Sequence, residues 1–159
     1  MIKILPFLQI FLILNAHSLE IECRFEEVYS DSTVQNGFLL IKGDKLRYEY
    51  YSENLFTLFH NNNQFLVVKN NDIKVINKIS QNTEIIEELL NIAASFPDVK
   101  KEYDSGDLTV RMEKNHSGDF LKRVSIRSPN INMSLYFNQC NTVKISDRYF
   151  SHNPYFKYR

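Results

Sequence analysis

The sequence has few of the residues that build metal sites, phosphate loops and disulfide-rich folds. Its 159 residues include two cysteines, four glycines and no tryptophan. Two cysteines exclude a four-cysteine zinc site and a small disulfide-dense domain. Four glycines in four different predicted turns exclude a glycine-rich phosphate loop. The 19 basic residues balance the 19 acidic ones, so the chain lacks the net positive charge that favours nucleic-acid binding, and we predict no such partner.

Catalytic constellations are also missing. The four histidines are far apart, with no cysteine or carboxylate at metal-ligand spacing. No serine has the glycine neighbours of a nucleophile elbow. The adjacent carboxylates Glu26-Glu27 and Glu87-Glu88 diverge on a strand or helix, and we interpret them as solvated residues rather than acid–base pairs. We therefore predict no metal, no cofactor and no enzymatic activity.

The first 18 residues are typical of a secretory signal peptide. Lys3 supplies a positive charge, residues 4–14 are mostly apolar, and small residues precede a cleavage site near Ser18. The apolar run is too short to span a bilayer. We predict export and one domain over residues 19–159. A retained N-terminal anchor or a buried strand is the alternative.

Export changes the interpretation of the two cysteines. In an oxidising compartment, Cys23 and Cys140 can form a disulfide that ties the start of the domain to its end. The alternative is that both are small buried apolar residues.

Apolar and polar residues alternate with period two, most clearly at residues 46–50 and 131–137. Such alternation is typical of antiparallel strands with one buried face. Asparagine and glycine clusters predict turns at 36–37, 43–44, 61–63, 70–71, 105–106 and 117–118. This spacing predicts a meander of eight to ten short strands.

One segment, residues 84–96, has helical spacing and ends before Pro97. It either plugs one end of the sheet or forms a movable lid, and both interpretations place it on the concave face. Its apolar stripe includes Ile85, Leu89, Leu90, Ile92 and Phe96.

The run from Gly37 to Tyr50 resembles the signature hairpin of LolA, the periplasmic carrier of outer-membrane lipoproteins. Residues 47–50, Arg-Tyr-Glu-Tyr, are similar to the family's Arg-Trp-x-Tyr. Residues 61–67 resemble the next hairpin, residues 84–96 fall where the family has a lid helix, and residues 145–150 resemble the closing strand. The resemblance implies a mainly β fold with one or two helices, in which a curved antiparallel sheet forms an open half-barrel with a lid or plug helix.

The resemblance also implies a function. The chain is expected to be a monomer that binds the acyl chains of lipoproteins in an apolar cavity. It would receive them from an inner-membrane ABC transporter and deliver them to an outer-membrane receptor. The implied lipid-binding or lid residues are Lys42, Arg47, Ile85, Leu89, Leu90, Ile92 and Phe96.

Two departures from the family weaken the expected lid. Lys42 stands where the family has the arginine that ties the closed lid to the sheet, and lysine lacks the bidentate fork of arginine. Only Leu19 and Glu20 remain where the family has an amphipathic N-terminal helix. The alternative is a periplasmic scaffold or sensor module that uses the same half-barrel for protein contacts, with its concave face filled by side chains.

Overall fold

The computed structural model describes residues 19–79, 84–116, 118 and 120–153. The predicted signal peptide, residues 1–18, lies outside the described residues. Within the described part, the chain forms ten strands, one α-helix and one 3-10 helix. In chain order they are β1 (Glu20–Tyr29), β2 (Val34–Lys42), β3 (Lys45–Tyr50), β4 (Phe56–Asn61), β5 (Gln64–Lys69), β6 (Asp72–Ile79), α1 (Glu84–Ser95), β7 (Glu102–Ser105), β8 (Leu108–Lys114), β9 (Leu121–Arg127), β10 (Asn132–Thr142) and the 3-10 helix Asp147–Phe150.

All ten strands belong to one antiparallel sheet, in the order β6-β5-β4-β3-β2-β1-β10-β9-β8-β7. The first and last strands of the chain pair at its centre, and β6 and β7 form its edges. No ladder joins the two edges within the described residues, so the sheet is not closed. Helix α1 connects one edge to the other. The prediction of a mainly β fold with an open antiparallel sheet and one helix is confirmed.

Four of the predicted turns contain left-handed backbone, and two of these contain Gly106, with φ 59°, and Gly118, with φ 76°. Gly43 has φ 58° between β2 and β3. Asn62 and Asn63 have φ 50° and 57° between β4 and β5, which matches the type I′ turn of a two-residue hairpin.

The turn predicted at residues 36–37 was wrong, because both residues lie inside β2. Gly37 pairs with Phe25 on one side and with Tyr50 on the other. A Cβ atom on Gly37 would lie 2.4 Å from Cζ of Phe25 and 2.0 Å from the carbonyl oxygen of Glu49. The glycine therefore makes room for an aromatic ring that crosses the strand.

The sheet buries side chains on both faces. On the inner face, alternate residues of β1–β4 and β8–β10 pack with α1 into one large apolar cluster. On the outer face, Phe38 and Leu40 pack with Ile145 and Phe150 of the C-terminal strap, which we define as residues 143–153.

The strap differs from the sequence prediction. Residues 145–150 were expected to form a closing strand, but Asp147–Phe150 form a 3-10 helix. Two side chains of the sheet form hydrogen bonds with the backbone of Ile145. The N–H of Ile145 donates to Glu20 Oε2 at 2.7 Å, and its carbonyl accepts from Lys42 Nζ at 2.8 Å. Because the sheet bonds Ile145 through side chains, the strap can cross the outer face without adding a strand.

Candidate functional site

The candidate site is the inner face of the sheet together with α1. The helix has an apolar side, and three of its residues, Leu89, Ile92 and Ala93, are at most 5% exposed. Leu90 and Phe96 are half-buried and pack against the same cluster. Four of the five predicted helix residues therefore contact the inner face. Ile85 belongs to α1, but its side chain lies outside the described residues.

The centre of the inner face is filled by side chains. Ile21 and Leu39 are completely buried, and Leu135 is 1% exposed. A side chain that lines a water-sized hollow keeps accessible surface, so these three side chains line no such hollow. A ligand that contacts them must therefore displace the side chains that cover them.

One end of the inner face is aromatic. The rings of Phe25 and Tyr48 stack with centroids 4.0 Å apart, and Tyr50 meets Phe25 edge-on at 5.5 Å. The close approach of Phe25 to Gly37 leaves space for this stack. Aromatic pairs of this geometry add about 0.5–1.5 kcal/mol to the burial of their surface.

The aromatic end also contains a buried carboxylate. Glu27 is 4% exposed, and three tyrosine hydroxyls donate to it. Tyr29 donates to Oε2 at 2.8 Å, Tyr48 donates to Oε1 at 2.5 Å, and Tyr50 lies 2.8–3.0 Å from both oxygens. Because buried charges are stable only when hydrogen-bonded or paired, these hydroxyls explain how the carboxylate is tolerated.

The same arrangement changes the acidity of the tyrosines. Burial raises the pKa of Tyr48 well above its ordinary value, and the negative charge of Glu27 raises it further. Burial and Glu27 raise the pKa of Tyr50 in the same way, and that of Tyr29 to about 12. All three hydroxyls therefore stay protonated at neutral pH and remain donors.

Glu27 was not identified from the sequence as a buried residue of the inner face. It was interpreted as solvated, and that prediction was wrong. The alternation of β1 could have indicated its burial, because Glu27 lies an even number of residues from Ile21, Cys23 and Phe25, which all face inwards. Tyr29 lies two residues from Glu27 on β1, whereas Tyr48 and Tyr50 come from β3 and meet Glu27 through the register of β1, β2 and β3.

The structure joins Cys23 and Cys140 in a disulfide, with Cα atoms 4.1 Å apart. The bond links β1 to β10 where their register shifts, between Glu22 and Arg24. Cys23 faces inwards as part of the apolar cluster. The disulfide therefore fixes the two central strands of the sheet at an irregular point of their ladder.

Lys42 contacts the C-terminal strap rather than α1. Its Nζ atom donates to the carbonyl of Ile145 and lies 3.1 Å from Asp147 Oδ1 and 3.7 Å from Glu20 Oε1. The reason is strand parity, because Ile41 faces inwards and its neighbour must face the other way.

Arg47 also lies on the outer face. It is 6% exposed, with its guanidinium 5.6 Å and 5.2 Å from the ring centroids of Phe38 and Phe59. Its Nη1 donates to the carbonyl of Tyr149 at 3.0 Å, and its Nη2 lies 2.5 Å from Glu49 Oε2. Both cationic residues of the predicted lid site therefore hold the strap on the face opposite α1.

None of the helices in the described part of the chain has the length and apolar character needed to span a lipid bilayer. The described residues also contain no group of three or more histidine, cysteine or carboxylate side chains placed to hold a metal ion. A comparison with protein-family models found no match to the chain, and a comparison with curated proteins found none either.

Proposed function

We propose that this protein is a periplasmic carrier that binds the acyl chains of lipoproteins against the inner face, after α1 has moved away from it. The observation that carries the proposal is the open sheet, whose apolar inner face is covered by one short amphipathic helix. Because α1 connects the two edge strands, its movement need not break any strand ladder. The LolA resemblance supplies the partners of this proposal, an inner-membrane ABC transporter and an outer-membrane receptor.

The energies of exchange are compatible with a carrier. Leu89 and Ile92 each gain about 1.5–3 kcal/mol from burial, so with the smaller contribution of Ala93 the described core of the α1 contact is worth about 4–7 kcal/mol. An acyl chain of about 15 methylenes gains about 12 kcal/mol at ~0.8 kcal/mol each. One chain can therefore offset the loss of the helix contact, and release is possible when the helix returns.

A second candidate is a periplasmic scaffold or sensor module that binds protein instead of lipid. The observation that favours it is the filled centre of the inner face, where Ile21, Leu39 and Leu135 are at most 1% exposed. In this candidate α1 is a permanent plug.

Binding of a fluorescently labelled diacyl lipopeptide distinguishes the two candidates. If α1 must open, Leu89→Ala weakens its docking by about 2 kcal/mol or more, which raises the open population and tightens the apparent affinity roughly 30-fold. The matched control is Leu40→Ala, because Leu40 is completely buried on the outer face and does not touch α1. We expect the control to lose stability without any gain in affinity.

Two results count against the carrier. Absence of lipopeptide binding by wild type and Leu89→Ala alike favours the scaffold. Equal affinity changes in Leu89→Ala and Leu40→Ala, with both variants folded by circular dichroism, also reject the movement of α1.

A further inference from the structure

A cleft of about 490 Å³ lies between the segment that follows α1 and the hairpin of β8 and β9. This volume is typical of small-ligand sites. The walls of this lysine cleft, as we call it, include Val99, Met112, Lys100, Lys101, Lys114 and Lys122. Because all four lysines are exposed, a ligand can reach them without displacement of α1.

The fold brings these lysines together from three segments of the chain. The backbone N–H of Met112 donates to the carbonyl of Lys101 at 2.8 Å, which holds the segment after α1 against β8. Lys114 ends β8, and Lys122 lies on β9 next to the residue that pairs with Lys114. The Nζ atom of Lys114 also donates to the carbonyl of Pro97, across to the segment after α1. Backbone and side-chain contacts therefore place four positive charges around one cleft.

The carboxylates near the lysine cleft offset little of this charge. Glu113 is the one carboxylate among the described residues that line the cleft, and it pairs with Arg123 at 2.6 Å. Glu102, on the neighbouring strand β7, pairs with Arg111 at 2.8 Å. Asp98 belongs to the segment after α1, but it is not among the residues that line the cleft.

The lysines therefore give the cleft an excess of positive charge. The partner of Lys114 is a neutral carbonyl, which leaves its charge uncompensated. The other three lysines have no hydrogen-bond or ion-pair partner among the described residues. The excess holds whether or not His116, which also lines the cleft, is protonated. A ligand with more than one negative charge complements such a cleft, and a phosphate monoester carries about −1.5 to −2 charges at neutral pH.

The cleft also has an apolar part. Met112 is 7% exposed and belongs to the apolar cluster of the inner face. Val99 is half-buried and packs against the same cluster. An alkyl group attached to the anion can lie against these two side chains and remove apolar surface from water.

We infer that the lysine cleft binds a phosphate monoester with a short alkyl group. Lysine ammonium groups donate to the phosphate oxygens, and the alkyl group lies against Val99 and Met112. This inference goes beyond the proposed carrier function, because it concerns a separate site and does not require α1 to move.

Titration calorimetry with hexyl phosphate at neutral pH tests the inference. Hexanoate has a single negative charge, hexylammonium has the opposite charge, and inorganic phosphate has no alkyl group. We expect hexyl phosphate to bind most tightly and hexylammonium most weakly. The affinity for hexyl phosphate should fall as salt is added, because the lysines are exposed to solvent.

The double variant Lys100→Gln with Lys122→Gln should weaken hexyl phosphate binding about 3- to 10-fold, since each exposed ion pair contributes a modest amount. The matched control is Lys69→Gln with Lys144→Gln, which removes the same charge from two exposed lysines outside the cleft. Val99→Ser should weaken hexyl phosphate binding and leave the binding of inorganic phosphate unchanged.

Vesicles distinguish the two sources of such a ligand, a lipid head group and a soluble monoester. Co-sedimentation with vesicles that contain phosphatidic acid, but not with phosphatidylcholine alone, supports the inference with a lipid head group as the source. Hexyl phosphate binding without co-sedimentation supports it with a soluble monoester as the source.

The inference is overturned if hexanoate or hexylammonium binds as tightly as hexyl phosphate, or if the two double lysine variants behave alike. Equal affinities for inorganic phosphate and hexyl phosphate would also overturn it, because the apolar contact would then contribute nothing. Its failure is distinguishable from failure of the carrier proposal, because the variant of Lys100 and Lys122 should leave lipopeptide affinity unchanged.

Discussion

The buried carboxylate of Glu27 allows a sharp test of the structure through stability. Glu27→Ala would leave the hydroxyls of Tyr48 and Tyr50 buried without their acceptor. Each unsatisfied hydroxyl costs about 1–3 kcal/mol, and the lost methylene adds about 0.8 kcal/mol. Tyr29 is half-buried, so its hydroxyl can hydrogen-bond to solvent water instead and adds little to the loss of stability. We expect a loss of about 3–7 kcal/mol in the free energy of unfolding, a large part of the 5–15 kcal/mol typical of a domain.

Urea unfolding followed by circular dichroism at neutral pH, with the disulfide intact, measures this loss. Glu26→Ala is the matched control, because Glu26 is the adjacent, half-buried residue on the outer face of the same strand. Its change should be below about 0.5 kcal/mol, as for most surface substitutions. Glu27→Gln should fall between the two, at about 1–2 kcal/mol, because it keeps an acceptor oxygen and loses the charge.

A rescue variant separates hydrogen bonding from general packing. Glu27→Leu combined with Tyr48→Phe and Tyr50→Phe replaces both sides of the network by apolar groups, which is often close to neutral. We expect it to recover most of the stability that Glu27→Ala loses. The reasoning is refuted if Glu27→Ala is no less stable than Glu26→Ala, or if the triple variant is less stable than Glu27→Ala.

Three further predictions concern stability. The pKa of Tyr29 is raised to about 12, so the folded state keeps protons that the unfolded chain releases near pH 10. The contribution of the buried tyrosines to the free energy of unfolding is therefore intact below pH 10 and is lost as pH rises towards 12, by at most about 1.4 kcal/mol per pH unit for each tyrosine. Alkaline titration followed by tyrosinate absorbance should show these hydroxyls ionising only when the protein unfolds. Ionisation before unfolding would contradict their burial. Gly37→Ala should cost about 3 kcal/mol or more because its Cβ would overlap Phe25; a urea midpoint equal to wild type would exclude that overlap. Cys140→Ser removes a disulfide between residues 117 apart in sequence, and should lower the free energy of unfolding by about 4–5 kcal/mol in the chain-entropy model. If reduction leaves the stability of the wild-type protein unchanged, the disulfide does not constrain the unfolded chain.

Much of the fold was predictable because the local signals agree with the tertiary structure. Alternation in β3 and β10 marks strands, and the helical stripe predicts α1 to within one residue of its observed end, Ser95. The turn at Asn62-Asn63 follows from residue types that accept left-handed backbone. These features depend on short stretches of sequence, so a single chain is enough to find them.

The candidate site was less predictable, because parity separates the two faces of a strand but does not say what covers each face. Lys42 and Arg47 were placed by resemblance at the lid, whereas the strap occupies their face. Gly37 suggested a turn because its role, space for a ring on the neighbouring strand, depends on register. The acceptor role of Glu27 likewise depends on hydroxyls up to 23 residues away.

The strap covers the outer face of the sheet and α1 covers the inner face, and the two segments differ in the contacts that a competing ligand would have to replace. The strap is held by charged groups, since Arg47 bonds the carbonyl of Tyr149 and Lys42 bonds that of Ile145. Lifting the strap would leave a guanidinium that is 6% exposed without that acceptor, and an alkyl chain cannot replace it. By contrast, α1 meets the inner face through Leu89, Ile92 and Ala93, whose contacts an alkyl chain can reproduce. If an acyl chain enters this protein, we therefore expect it to displace α1 and leave the strap in place. Hydrogen exchange during lipopeptide binding should then show lost protection in residues 86–95 and unchanged protection at Tyr149, and the opposite pattern would place the ligand under the strap.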